Sequence, residues 1–342
     1  MTRNGWILVT GATGRLGTAI VNDLLAQKNF RKRIRVLVRD PIKAKRLFGN
    51  RVQVVSHDLS SSDFIGLTEA CQHVDRLIHL AALIDYGAPE TRHWTVNYKG
   101  TLQLIRAAEL KGVRRFVFLS STSVYRGIKS PRGKRIDERT PFQPVSPYGR
   151  SKRASETALK ESHLDYVILR PPIIYGEGFT SGFEFMVRML RKGQLRTIGS
   201  GENAIPLIFV DDVVQAIRRA LMLKKGREDF IITSGETHTQ KQLFSELATA
   251  FGASPPTKHI SRSAAFILFA GFRFRDRLLG RKQRFYNAYL HTLTEDRRYD
   301  ISKAKRVLGF RPRILLHEGM ARFVRYILRE IPRGRDSKRS KI

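Results

Sequence analysis

The chain has 342 residues, of which 42% are hydrophobic, and carries 63 Lys+Arg against 30 Asp+Glu, a formal net charge of +33. That length and apolar content suit one large domain or two intimate ones and exclude a disordered chain. The one cysteine, Cys71, excludes an internal disulfide and fits a reducing compartment, so a cytoplasmic location is expected.

The first apolar run, "WILVT", is too short for a secretory core, and "SAAFILFAGF" (263–272) falls short of a spanning helix. The charge balance should draw polyanions, with dense basic patches at 273–284 and in the tail "RGRDSKRSK". Zinc-finger spacing, RNP-like aromatics and a basic zipper are all missing from the sequence, so no specific nucleic-acid partner is expected. C-x-x-C, H-E-x-x-H and G-x-S-x-G are missing too, and no metal site is expected.

In chain order, a strand at 6–10 ("WILVT") runs into "GATGRLG", and Leu16, Ile20 and Leu24 then repeat at helical spacing. Gly11, Gly14 and Gly17 form G-x-x-G-x-x-G between strand and helix, with Thr13, Arg15 and Leu16 among them. Glycine there permits a tight turn and close backbone approach to a pyrophosphate, and the helix start offers N–H groups and a favourable dipole. The pattern predicts dinucleotide binding. A second strand, 34–39, ends in "VLVRDP". An acidic residue at that end would take a ribose 2′-hydroxyl, an arginine a 2′-phosphate. Arg39, seconded by Arg15, points to NADP(H). The alternative is NAD(H), with Asp40 on the ribose.

Further strands are predicted at 52–56, 76–80, 115–121 and 165–170, with helical patterns between them. "SPYGRSK" (146–152) reads as a helix start, with Ser146 as cap, Pro147 in the first turn, and Tyr148 and Lys152 on one face. After Arg170, "RPPIIYGEGFTSG" looks like a loop leaving the sheet, and strands are predicted again at 207–210 and 229–233. "GIKSPRGKR" (127–135) lacks the glycine spacing and the Ser or Thr of a P-loop.

"DRLIHLAA", "VNYKGT", "FLSSTSVY" and "YGRSK", joined to the glycine loop in this order, resemble the extended short-chain dehydrogenase/reductase family over residues 6–312. "RPPIIYG", "FVDDVVQA" and "YDISKAKRVLGFRP" extend the likeness. The resemblance implies an α/β fold, a Rossmann-like doubly wound parallel sheet with a smaller, mainly C-terminal substrate lobe. Residues 1–172 and about 205–234 are expected as the dinucleotide-binding domain. About 173–204 and 235–330 are expected as the substrate lobe, and 331–342 as a basic tail.

By resemblance, Tyr148 is the general acid/base, and Lys152 holds the nicotinamide ribose and lowers the tyrosine's pKa. A free phenol titrates near ~10, and an adjacent ammonium favours its phenolate. Ser121 is implied to orient the substrate, a task adjacent Thr122 could share. Asn97 matches the family's helix-distorting asparagine, which supports a proton-relay water. Asp58 and Leu59 are implied to border the adenine, and Leu80, Ala81 and Ala82 to flank the dinucleotide. Arg170-Pro171-Pro172-Ile173 lies where the family's backbone passes the nicotinamide, so Pro171 and Ile173 are implied as cofactor neighbours. His79 reads as structural. An arginine follows Tyr125 where the family often has glycine, which leaves the contacts of Tyr125 open.

"HLAALIDYG" with "VNYKGT" looks like the 3β-hydroxysteroid dehydrogenase and dihydroflavonol reductase branch. That branch implies hydride transfer between a nicotinamide and a hydrophobic secondary alcohol or ketone. The second reading is a nucleotide-sugar epimerase or dehydratase. Such relatives usually carry an Arg-Asp-aromatic diphosphate clamp, where this chain has Ile205-Pro206-Leu207. Under that reading Arg196 or other basic residues would substitute for it. The third is a non-enzymatic NADP sensor or polyanion binder, for which Ser121, Tyr148 and Lys152 together are superfluous. The tail and the 263–272 segment suggest peripheral contact with an anionic membrane. Homodimers are frequent in the family.

Overall fold

The computed structural model describes residues 5–28, 30, 33–85, 87–127, 135–180, 183–280 and 286–330. The expected basic tail and most of "GIKSPRGKR" lie outside the described residues. Among the described residues eleven strands follow in chain order: β1 (Trp6–Thr10), β2 (Ile34–Val38), β3 (Gln53–Ser56), β4 (Val74–His79), β5 (Arg115–Leu119), β6 (Asp165–Arg170), β7 (Ile173–Tyr175), β8 (Thr197–Ile198), β9 (Leu207–Phe209), β10 (Glu228–Ile231) and β11 (His259–Ile260). The contacts divide the chain into two compact units.

The first unit comprises Met1–Pro172, Asp211–Gly235 and Arg298–Pro312. It is built on a seven-stranded sheet of order β10-β6-β5-β4-β1-β2-β3. Every pairing in it is parallel, with Ile7 opposite Ile34 and Leu77 opposite Phe116. Parallel strands with helices on both faces are buried on both sides and read as continuous apolar runs. β2 is buried at every position, and Leu8, Val9, Leu77, Ile78, Phe116 and Val117 have at most trace exposure. The order reverses between β1 and β4, the switch point at which open α/β sheets bind ligands beyond their carboxyl ends. Cys71 caps the Phe64–Ala70 helix, fully buried, where burial pushes its thiol up to about 12.

The second unit comprises Ile173–Val210, Glu236–Arg297 and Arg313–Ile342. It holds two small parallel pairs, β7 with β9 and β8 with β11, among helices. Two boundaries differ from the sequence expectation. Residues 205–210 belong to this unit because β9 pairs with β7, a short strand inside the Pro/Gly-rich stretch expected as a loop. Arg298–Pro312 joins the first unit, where Tyr299 bridges Ile136 and Gln215 is bonded to Arg311 through both its Oε1 and its Nε2.

Among the described residues, no helix is long and apolar enough to cross a membrane.

Candidate active site

β1 delivers the chain into Gly11 at φ +68°, a left-handed turn that suits glycine. A Cβ on Gly11 would stand 2.7 Å from the Ala81 nitrogen, and one on Gly17 would stand 2.2 Å from the Gly11 oxygen. Gly14 donates to the Gly11 carbonyl at 3.0 Å and occupies the N-cap of the Arg15–Ala26 helix, where it offers no side-chain acceptor to the first-turn N–H groups. Those donors, the dipole and a loop closed too tightly to admit a side chain at Gly11 or Gly17 together fit the pyrophosphate of a dinucleotide. Leu16 is buried below this loop, Thr13 is half-buried and Arg15 is exposed.

The carboxyl ends of the neighbouring strands carry the remaining candidates on this side. Arg39 and Asp40 are exposed just past β2. The Asp40 carboxylate caps the Pro41–Phe48 helix by accepting from the Lys43 N–H at 2.9 Å, so it already serves the protein backbone. Asp58 accepts from both the N–H and the hydroxyl of Ser60 at 2.8 Å; these bonds, with Arg39 adding attraction, hold its carboxyl below the usual range. Leu59 is buried, and its carbonyl stands 2.5 Å from where a Cβ on Gly100 would be.

Leu80, Ala81 and Ala82 follow β4 half-buried, with the Ala81 N–H donating to the Thr10 hydroxyl at 3.2 Å. His79 bonds Thr10 through Nδ1 (2.7 Å) and Thr101 through Nε2 (2.8 Å), and its ring stacks on Phe118. Burial lowers its pKa to about 3, so His79 is a neutral structural residue at cellular pH.

The helix Pro147–Glu161 begins as the sequence indicates, with Ser146 Oγ accepting from the Gly149 N–H at 3.0 Å and Pro147 in the first turn. Tyr148, Lys152, Ser155, Glu156 and Leu159 are buried along it at helical spacing. Lys152 Nζ donates to the Leu119 carbonyl at the end of β5 (2.8 Å), 4.6 Å from the Phe118 ring centroid and 5.9 Å from that of Tyr148. Burial pulls its pKa down to about 7, opposed by the Glu156 carboxylate.

Asn97 lies in a π-helical stretch, Trp94–Lys99, and is buried. Its carboxamide accepts from the Leu83 N–H (2.7 Å) and donates to the Leu83 carbonyl and Ser151 Oγ, both at 3.1 Å. The Ser155 hydroxyl donates to the Asn97 carbonyl at 2.9 Å. The widened turn is thereby stitched to the helix that carries Tyr148 and Lys152. Ser151 and Ser155 escaped the sequence reading, although two small hydroxyl residues at i and i+4 beside Lys152 were a visible signal. His93 escaped it too; its buried ring meets the Tyr148 ring edge-on at 6.3 Å.

Ser121, two residues past β5, is half-buried, caps the turn Thr122–Tyr125, and shares a 2.8 Å hydroxyl contact with Ser123. Thr122 is buried, its N–H donating to the Pro171 carbonyl at 3.0 Å, which leaves Ser121 and Ser123 as the more accessible hydroxyls. Tyr125 is fully buried and accepts from Arg170 Nη1 at 2.7 Å; burial raises its pKa strongly. Its contacts are therefore in the core. The structure gathers Ser121, Tyr148, Lys152, Asn97 and Pro171 in the first unit, whereas Ile173 opens β7 in the second.

The second unit contains a cavity of about 290 Å³ lined mainly by apolar side chains, among them Phe185, Met189, Leu195, Phe244, Phe269 and Phe272. Arg196 and Gln194 also line it. Ile205 and Leu207 are buried and Pro206 half-buried. Among the described residues no cluster of His, Cys, Asp or Glu suits a metal ion.

Residues 7–232 match the profile of the NAD dependent epimerase/dehydratase family. The chain is 27% identical to a UDP-glucose 4-epimerase of Vibrio cholerae, covering 92% of each protein. It is 26% identical to the 3β-hydroxysteroid-dehydrogenase/decarboxylase isoform 1 of Arabidopsis thaliana, covering 93% of this chain and 79% of that one. The crystal structure of a UDP-glucuronic acid 4-epimerase from Bacillus cereus in complex with NAD superposes with a TM-score of 0.73 at 24% identity, over 95% of this chain and 99% of that one.

Proposed function

The chain is a member of the NAD dependent epimerase/dehydratase family and an enzyme of the extended short-chain type, and from that premise we propose that it is an NADP(H)-dependent oxidoreductase of hydrophobic secondary alcohols or ketones. Gly11, Thr13, Gly14, Arg15, Leu16 and Gly17 would hold the pyrophosphate, Asp58 and Leu59 the adenine side, and Leu80–Ala82, Pro171 and Ile173 the nicotinamide side. The cofactor supplies or accepts the hydride.

Tyr148 moves the proton at the substrate oxygen, in the place the resemblance implies. With cofactor bound, the Lys152 ammonium beside its ring favours the phenolate over the neutral phenol, as a base for proton transfer requires. Ser121, with Ser123 bonded to it, supplies the hydroxyl that orients the substrate oxygen. Asn97 acts through position, bracing the turn packed against the Tyr148 helix. Arg39 selects the 2′-phosphate, a reading supported by Asp40's engagement as a helix cap.

The observation that carries the substrate class is the apolar lining of the second unit's cavity. Ile205-Pro206-Leu207 in place of a diphosphate-gripping arginine agrees with it. A rival reading, a nucleotide-sugar epimerase, is favoured by the relative named as a UDP-glucose 4-epimerase.

The deciding experiment is turnover by purified protein offered apolar ketones and alcohols, or UDP-sugars, with NADP(H) and NAD(H). Sustained cofactor conversion with an apolar substrate is expected, and Tyr148→Phe should lower kcat by about 10²–10⁴-fold. An altered sugar product without net cofactor conversion would establish the rival.

A further inference from the structure

The Arg262–Leu278 helix has two unlike faces. Ala265, Phe269 and Asp276, at i, i+4 and i+11, are buried. Ala265 and Phe269, with Leu268 and Phe272, line the cavity. Two residues further on, about 200° round a 3.6-residue helix, Ile267, Phe274 and Leu278 form an outer stripe, 74%, 65% and 70% exposed. Gly271 lies between them, and no charge interrupts the stripe. Arg275 and Arg277 stand about 80° to either side of it by the same geometry.

The helix's one acidic residue, Asp276, is on the buried face, where its carboxylate accepts from Arg275 at 3.2 Å. Every exposed charge on the helix is therefore positive: Arg262, Arg275 and Arg277.

An outward stripe of large apolar side chains marks a surface that something covers. The charges choose the occupant. A second copy of this chain, itself +33, would set the same cations face to face. An anionic bilayer meets both features, because arginine stems lie along apolar surface while their guanidinium groups reach phosphates. Resting on the reading of an apolar substrate, we infer that the Arg262–Leu278 helix docks the protein on an anionic phospholipid bilayer. Ile267, Phe274 and Leu278 enter the acyl boundary, Arg275 and Arg277 hold headgroup phosphates, and the cavity on the inner face receives the hydrocarbon part of a lipid substrate.

The test is co-sedimentation of the full chain with phosphatidylcholine vesicles, with and without phosphatidylglycerol. Wild type should bind the phosphatidylglycerol vesicles alone. Arg275→Gln/Arg277→Gln should weaken this binding about tenfold. Ile267→Glu/Phe274→Glu should abolish it while leaving turnover of a water-soluble short-chain ketone unchanged. Both variants keep the C-terminal basic segment, so their losses report the helix.

Equal sedimentation of wild type and Ile267→Glu/Phe274→Glu would overturn the proposal. So would a dimer that this variant dissolves while vesicles fail to bind, which would make the second copy the occupant. Failed vesicle binding with the short-chain ketone still turned over sinks the docking alone and leaves the oxidoreductase reading standing. Vesicle binding together with turnover of UDP-sugars only would overturn the cavity's role and that reading with it.

Discussion

Arg170 and Glu156 form an ion pair with no solvent exposure on either side chain, Nη2 meeting Oε2 at 2.6 Å and Nε meeting Oε1 at 3.0 Å. Arg170 ends β6, and Glu156 lies one helical turn beyond Lys152, so the pair fastens the Tyr148–Lys152 helix to the sheet. The same guanidinium donates to the Asp229 carboxylate and the Tyr125 hydroxyl, and the Ser120 hydroxyl donates to Glu156. Lys160 and Lys303 lie against Asp229 at 3.2 and 3.5 Å, so charges of both signs meet in this compartment.

Removing one partner strands a charge away from water. Arg170→Leu should therefore cost about 3–5 kcal/mol of stability, read from urea unfolding. Arg170→Leu/Glu156→Leu should recover part of that loss, because it removes both charges together. A single-variant cost below about 1 kcal/mol would place the fastening elsewhere.

The Gly17→Ala methyl would stand 2.2 Å from the Gly11 oxygen and 2.6 Å from the Ala12 Cα, so the loop must open to admit it. Dinucleotide affinity should fall by at least about tenfold, since an opened loop shifts the helix start whose N–H groups would meet the pyrophosphate. Fluorescence titration with NADPH measures it. Affinity equal to wild type would remove the loop from cofactor binding.

Arg39→Ala tests the choice between cofactors. A charge-assisted arginine–phosphate bond is worth roughly 1.5–3 kcal/mol, so the Kd for NADP should rise by about 10–100-fold. The Kd for NAD should stay close to wild type. Equal losses for both would show that Arg39 serves a part common to the two.

What the sequence made legible was local or continuous. The runs that became β1, β2, β5 and β6 were readable because strands buried on both faces are apolar throughout. Ser146, Pro147, Tyr148 and Lys152 were readable because cap and i, i+4 geometry lie within one turn. Burial of Arg170 was not legible: an arginine ending "DYVILR" resembles any surface residue, and its partners lie 14 and 59 residues away. The pairing of β7 with β9 was hidden for the same reason, since both strands are three residues long and one follows a double proline. For 263–272, the apolar run said nothing of which face would be covered. Only the fold separates Phe269 from Ile267.

Lys152 carries the last prediction. Burial lowers its folded pKa to about 7, whereas an unfolded lysine titrates near ~10.4. Between those values the unfolded chain holds a proton that the folded chain has released, so stability rises with pH. Wild type should therefore gain stability relative to Lys152→Met by up to about 1.4 kcal/mol per pH unit between pH 7 and 10, with no change in the gap below pH 6. Unfolding midpoints across pH measure it, and the difference between the two proteins cancels the other titrating groups. A ligand that places acceptors against the ammonium raises its pKa again. Cofactor binding at pH 8 should then take up a proton, visible as a buffer-dependent enthalpy in titration calorimetry and lost in Lys152→Met. Proton uptake that persists in that variant would assign the titration to another group.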